Sequence, residues 1–185
     1  IAGSQLGQIA VTYIEWSGAN EQSIEVDWTL IDSQAAAQGF AGAISAASRN
    51  FFGSTAPGTA INFAVPLFGT ETGGADNGFS SLRQVIDVSG DGSENDGANT
   101  ATARNNALAA GVDAINGLPI LGSEANLLTW YQNNIQGGAT GFTIAAASFA
   151  TFEAAVLQKL TKEITVVPEP ASLALVGLGL LGAGL

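Results

Sequence analysis

The sequence predicts an α/β fold built on an open, mostly parallel sheet. The first observation behind this prediction is that strand patterns alternate with segments of helical periodicity, which implies crossover connections. The second is that 46% of the 185 residues are apolar, enough for one core of ordinary size. The third is a short polar link between the first two strand patterns, which predicts a hairpin and therefore one antiparallel strand.

The strand patterns differ in how far each strand should be buried. Residues 8–16 are apolar on both faces, which predicts a strand covered on two sides. Residues 24–31 alternate strictly between apolar and polar side chains, which predicts a half-exposed strand at the edge of the sheet. Further short strands are predicted at residues 84–88, 118–121 and 142–146.

Helical periodicity predicts five helices. Four of them cover residues 34–48, 60–68, 100–110 and 127–135. The fifth begins at Ser148, and its late Lys159 and Lys162 suit the helix dipole. The buried stripe of this last helix is predicted to consist of Phe149, Phe152, Val156, Leu160 and Ile164.

Net charge and missing residue types exclude several classes of function. The chain has 16 acidic and 5 basic residues, a net charge of −11, which argues against nucleic-acid binding. It contains no His and no Cys, which excludes a His-based triad, a Cys nucleophile and an ordinary zinc site. Without Cys there is also no disulfide framework.

Two loops concentrate oxygen-bearing side chains of the kind that bind hard metal ions. Residues 87–97 place carboxylates and hydroxyls directly after a predicted strand, where open α/β sheets bind their ligands. Thr59 lies in an earlier loop that opens a helix, and in a parallel sheet this loop can face Asp91. A hydroxyl and a carboxylate suit Mg²⁺, Mn²⁺ or Ca²⁺. The alternative is a turn whose side chains cap the next helix.

The chain resembles the von Willebrand factor A domain, in particular a bacterial branch of unknown function. The matching stretches follow the family's order and are residues 7–18, 58–61, 83–92, 114–118 and 130–164. The resemblance implies a doubly wound sheet with a metal-ion-dependent adhesion site, built from an Asp-x-Ser-x-Ser loop, a threonine loop and an aspartate loop. Thr59 and Asp91 match the second and third loops. The first loop and its strand have no counterpart, so the domain is expected to be truncated at its N-terminus.

The tail, residues 166–185, resembles the PEP-CTERM sorting signal of exported bacterial proteins. The motif residues are Pro168, Glu169 and Pro170, and an uncharged apolar run follows at residues 171–185. This run is shorter than the roughly 20 residues of a membrane-spanning helix, so a membrane segment truncated before its basic end is expected; a buried terminal helix is the alternative. The resemblance implies export, transient anchoring in the inner membrane, cleavage by an exosortase, and arrival at the cell surface or in the extracellular matrix.

These features predict a von Willebrand A-like domain at residues 1–165 and a sorting signal at residues 166–185. The expected function is non-enzymatic adhesion to a protein or matrix ligand that presents an acidic group. The cation in the full-length protein is expected to be Mg²⁺, with Mn²⁺ or Ca²⁺ as alternatives. For the present chain, which lacks the first loop, the alternative is that no cation binds. The other hypotheses are a structural matrix protein with a metal-free site and, third, a metal-assisted hydrolase with Asp87 or Glu94 as base. Four aromatic residues are interpreted as core residues rather than a carbohydrate platform: Trp16, Trp28, Trp130 and Tyr131.

Overall fold

A computed structural model describes residues 8–165, and this part of the chain forms a mixed α/β fold. Its strands are β1 (Ile9–Trp16), β2 (Gln22–Ile31), β3 (Val85–Gly90) and β4 (Ala114–Pro119). Its α-helices are α1 (Gln34–Ala46), α2 (Pro57–Ala64), α3 (Thr100–Ala109), α4 (Leu127–Asn134) and α5 (Phe152–Thr165). Two 3₁₀-helices, Val65–Thr72 and Phe149–Thr151, continue α2 and precede α5.

The predicted hairpin is confirmed. β1 and β2 pair antiparallel, from Ile9 opposite Ile31 to Trp16 opposite Gln22, with register shifts on either side of Tyr13. Within residues 8–165, β1 pairs with no strand other than β2 and forms a two-stranded sheet with it.

The second sheet confirms the parallel pairing. β3 and β4 run parallel, from Val85 opposite Ala114 to Gly90 opposite Pro119, and α3 supplies the crossover between them. In the described part of the chain the sheets are separate, so a single doubly wound sheet is not confirmed and stays a prediction.

Two predicted strands need correction. β4 begins four residues earlier than predicted, because the polar Asn116 interrupts the apolar pattern although it is fully buried. The predicted strand at residues 142–146 is reduced to single parallel bridges, Thr143 to Gly117 and Ala146 to Ile120.

The predicted helix at 60–68 starts at Pro57, where a missing N–H costs nothing, and turns into a 3₁₀-helix at Val65.

The apolar core has two parts, one on each side of the β3–β4 pair. The larger part packs side chains of β3 and β4 against α2, α3 and α4, and Ile61, Ile115 and Tyr131 are fully buried there. The smaller part packs Leu118 and Ile120 against α5. Trp16 and Trp130 pack against the larger core, as the interpretation of the aromatic residues expects.

The buried face of α5 differs from the predicted stripe. Phe149 is 69% exposed and Leu160 is 42% exposed, whereas Lys159 is only 3% exposed. The capping box of Ser148 and Thr151 starts the 3₁₀-helix Phe149–Thr151 at the predicted position, and α5 itself begins at Phe152. Helix α1 has no fully buried residue, so its predicted apolar face is covered only in part.

The sorting motif Pro168, Glu169 and Pro170 and the apolar run at 171–185 lie outside the described residues. In residues 8–165, the helices are too short or too polar to cross a bilayer.

Candidate functional site

The threonine loop and the aspartate loop lie against each other at the end of β3. The Thr59 hydroxyl oxygen accepts a hydrogen bond from the Ala98 backbone N–H at 2.9 Å. One turn earlier, the Thr55 N–H donates to the Asn95 side-chain oxygen at 2.8 Å, and the Thr55 carbonyl accepts from the Asn95 N–H at 3.0 Å. The two loops that the sequence was expected to bring together are therefore in contact.

Two glycines allow this close approach. A Cβ atom on Gly58 would lie 2.2 Å from the Ala98 carbonyl oxygen, closer than any real Cβ contact. Gly97 has a φ of 75°, and a Cβ there would lie 2.3 Å from the Thr59 hydroxyl oxygen. Larger residues at either position would push the two loops apart.

Asp91 follows the last residue of β3 and is exposed. Its backbone carbonyl accepts a hydrogen bond from the Ser123 hydroxyl at 2.5 Å, which ties the β4–α4 loop to this turn. Within residues 8–165, no three His, Cys, Asp or Glu side chains are grouped so that they could hold a metal ion. A cation shared by Thr59 and Asp91 therefore stays a prediction.

Part of the segment at residues 87–97 caps α3, as the alternative interpretation of this segment expects. A Glu94 carboxylate oxygen accepts from both the N–H and the hydroxyl of Thr100, at 2.5 and 2.7 Å. The Asn99 side chain accepts from the Thr102 N–H at 3.0 Å. Glu94, one of the two hypothetical bases of a hydrolase, is thus held in a structural contact.

At this end of β3, sequence reasoning missed Glu124 and assigned Tyr131 correctly to the core without noting its hydroxyl. Glu124 accepts a hydrogen bond from the Ser93 N–H at 2.7 Å, which brings a second carboxylate to the turn. The Tyr131 ring is fully buried, and among residues 8–165 its hydroxyl has no hydrogen-bond partner. We call Asp91, Glu124 and Tyr131 the β3 rim. The available signal was that Glu124 lies in the loop after β4, while Asp91 directly follows β3.

Burial, and then the negative charges of Asp91 and Glu124, raise the pKa of the Tyr131 phenol. The phenol is therefore neutral at ordinary pH and keeps its proton. A cleft of about 430 Å³ lies beside the rim, between β1 and β3. Its lining includes Tyr13, Trp16 and Asp91.

A second charged cluster lies further back on β3, under α5. Lys159 forms ion pairs with Asp87 and, at 2.9 Å, with Glu163. The Asn116 amide donates to Glu163 at 2.8 Å, and its carbonyl oxygen accepts from the Phe142 N–H at 3.0 Å. We call Asp87, Asn116, Lys159 and Glu163 the α5 cluster. Asp87, the other hypothetical base, is therefore paired with a buried ammonium group.

The α5 cluster shifts the titration of one carboxyl group. Burial, followed by the negative charge of Asp87, raises the pKa of Glu163 from its ordinary value of 4.5 to about 7. Lys159 acts in the opposite direction but does not cancel the effect. Glu163 therefore gains a proton near neutral pH.

Both parts of the chain match known family models. A family described as "Protein of unknown function (DUF1194)" matches residues 1–168. The PEP-CTERM protein-sorting motif matches residues 166–185. No curated protein matches the chain.

Among solved structures, the chain is similar to proximal thread matrix protein 1 from the mussel byssus. The TM-score is 0.57 and the identity 17%, over 85% of this chain. The match spans only 36% of the mussel protein. At this identity the likeness concerns the fold alone.

Proposed function

We propose that this chain, which belongs to the DUF1194 family of proteins of unknown function, is an exported, non-enzymatic adhesion module that uses a divalent cation. The PEP-CTERM motif indicates export and implies processing by an exosortase. We also propose that the domain has a single von Willebrand A-like sheet, that the tail is transiently anchored in the inner membrane, and that adhesion takes place at the cell surface or in the matrix.

The contact between the threonine loop and the aspartate loop is the observation that carries this proposal. The Thr59 hydroxyl comes from the first turn of α2 and contacts Ala98, and Asp91 lies seven residues before Ala98, directly after β3. Ligands of open α/β sheets bind at this end of the strands.

The chemistry of the available donors suits a hard cation. Thr59 would supply a hydroxyl oxygen and Asp91 a carboxylate oxygen, and the chain has no His or Cys that would favour zinc. Mg²⁺ is the first candidate, because it is commonly held by one or two carboxylates and keeps several waters; Mn²⁺ and Ca²⁺ are the alternatives. The bound cation would supply an open position for an acidic group of the partner.

Isothermal titration calorimetry with Mg²⁺, Mn²⁺ and Ca²⁺ tests the proposal. We expect binding heat for at least one cation, and a loss of affinity of more than tenfold in Asp91→Ala, because the only carboxylate of the pair is removed. Asp27→Ala is the matched control, since Asp27 is an exposed aspartate on β2. Equal heats in both variants would contradict the proposal.

A structural matrix protein with a metal-free site is the second candidate. It is favoured by the lack of any group of three carboxylates in residues 8–165, and by the fold likeness to a mussel matrix protein. Under this hypothesis none of the three cations produces heat with the unsubstituted protein.

A further inference from the structure

The turn that follows β3 is surrounded by oxygen atoms from two other loops. Glu124, in the β4–α4 loop, accepts from the Ser93 N–H at 2.7 Å. A Cβ atom on Gly92 would lie 3.3 Å from the Thr55 hydroxyl oxygen and 3.9 Å from a Glu124 carboxylate oxygen. The Thr55 hydroxyl and the Glu124 carboxylate therefore flank Gly92, directly after Asp91.

In the described part of the chain, the two carboxylates of the β3 rim form no ion pair. Asp91 and Glu124 differ in this from Asp87 and Glu163. Two like charges near one turn repel each other, and the net charge of −11 adds to this repulsion. A bound cation would remove it.

The Tyr131 hydroxyl independently points to a missing ligand at the same place. A Cβ atom on Gly90 would lie 2.8 Å from this hydroxyl oxygen, so the hydroxyl lies at the residue that precedes Asp91. It is buried, neutral and without a hydrogen-bond partner. A buried hydroxyl in this state is costly, and a polar occupant such as a water molecule of an ion's hydration shell would satisfy it.

We propose that Glu124 is a second carboxylate ligand of the cation bound at Asp91, and that the Tyr131 hydroxyl hydrogen-bonds a water molecule bound to that cation. This inference rests on the proposed function, since it adds ligands to the same site. Two carboxylates, a nearby threonine hydroxyl and several waters form an all-oxygen set of the kind that Mg²⁺ and Ca²⁺ prefer.

Terbium(III) luminescence tests the inference, because this ion also prefers oxygen ligands and its emission is sensitised only by nearby aromatic rings. A Cβ atom on Gly90 would lie 3.3 Å from the Trp16 ring, so a Tb³⁺ ion at the rim has two sensitisers close by, Trp16 and Tyr131. We expect saturable emission on excitation of these rings, and its displacement by Mg²⁺ or Ca²⁺.

Variants at the rim identify the ligands. We expect Glu124→Gln to weaken Tb³⁺ binding by at least tenfold and Tyr131→Phe by about threefold. Glu153→Gln removes an equally exposed carboxylate on α5 and should leave the affinity unchanged. Circular dichroism checks the fold of each variant. If Glu124→Gln does not fold, the Tb³⁺ affinity of Tyr131→Phe tests the inference.

The outcomes separate this inference from the proposed function. If Asp91→Ala abolishes binding while Glu124→Gln and Tyr131→Phe bind as the unsubstituted protein does, Glu124 is not a ligand but the cation site stands. If all three variants bind equally well, both fail. An equal loss in Glu124→Gln and Glu153→Gln would show general attraction to an acidic surface and would overturn the inference.

Discussion

The α5 cluster and the β3 rim are two groups of carboxylates on one strand, and they are built differently. Asp87 lies within β3 and is paired with the buried Lys159, which also holds Glu163. Asp91 lies just beyond the end of β3, and in residues 8–165 neither it nor Glu124 has a cationic partner. In the α5 cluster the protein supplies its own cation, whereas in the rim it supplies none.

This difference indicates which cluster serves stability and which serves binding. The α5 cluster satisfies its polar atoms internally through Lys159 and Asn116, so it fixes α5 on the sheet. Within residues 8–165, the rim leaves one buried hydroxyl without a hydrogen-bond partner, which is costly, whereas its two carboxylates are exposed and available to a ligand. The predictions below test the two assignments in order of expected effect.

Replacing Lys159 by Met should cause the largest loss of stability. It leaves two carboxylates facing each other under α5 without their cation, and breaking a buried pair typically costs about 3–5 kcal/mol. Urea unfolding measures the loss, which should be larger at pH 8 than at pH 5, where Glu163 is protonated. Lys162→Met is the control, because Lys162 is exposed on the same helix. Similar losses in both variants would show that Lys159 has no special role.

The second prediction concerns the pH dependence of stability. Because the pKa of Glu163 is raised to about 7 in the folded protein, its stabilising contribution is complete below about pH 4.5 and is lost as the pH rises through 7. The difference between the two pKa values corresponds to about 3 kcal/mol at most. Glu163→Gln cannot titrate, so its melting temperature relative to the unsubstituted protein should rise between pH 5 and pH 8.

The control for this experiment is Glu153→Gln, which changes an exposed carboxylate in the first turn of the same helix. Its melting temperature should follow that of the unsubstituted protein at every pH. A Glu163→Gln profile that also runs parallel to the unsubstituted protein would mean that the α5 cluster does not shift Glu163.

The smallest expected effect is a gain of stability at the rim. In the absence of divalent cations, Tyr131→Phe removes a buried hydroxyl that has no partner, which should stabilise the fold by about 1 kcal/mol. Chemical unfolding in the presence of a chelator measures it. Tyr13→Phe is the control and should be close to neutral, because Tyr13 is 37% exposed. A loss of stability in Tyr131→Phe would show that the hydroxyl is already satisfied.

Local patterns predicted the elements that depend on local chemistry. The hairpin followed from strict alternation in β2 and a short polar link, and the start of the 3₁₀-helix that precedes α5 followed from the cap at Ser148. The contact between the threonine and aspartate loops was predicted from parallel strand ends, but the segment that carries Thr59 follows α1 and not a strand of the parallel β3–β4 sheet.

The missed features depend on contacts distant in sequence. The sequence analysis placed Lys159 late in the last helix to suit its dipole and did not include it in the buried stripe. Its burial depends on ion pairs with Glu163 and with Asp87, 72 positions earlier in the chain. A clue was present, since Lys159 and Glu163 are four residues apart on the stripe that contains Ala155. Likewise, nothing in the local pattern around Tyr131 shows that its hydroxyl ends at Gly90.

The unpaired edges of β1 and β3 have a consequence for how copies of the chain meet. In residues 8–165, each of these strands pairs along one side only, and such edges readily join across molecules. An excess of eleven negative charges makes the copies repel each other in dilute buffer, but the distance over which this repulsion acts falls to about 10 Å at 0.1 M salt. We therefore expect added salt to favour any contact between copies through these edges.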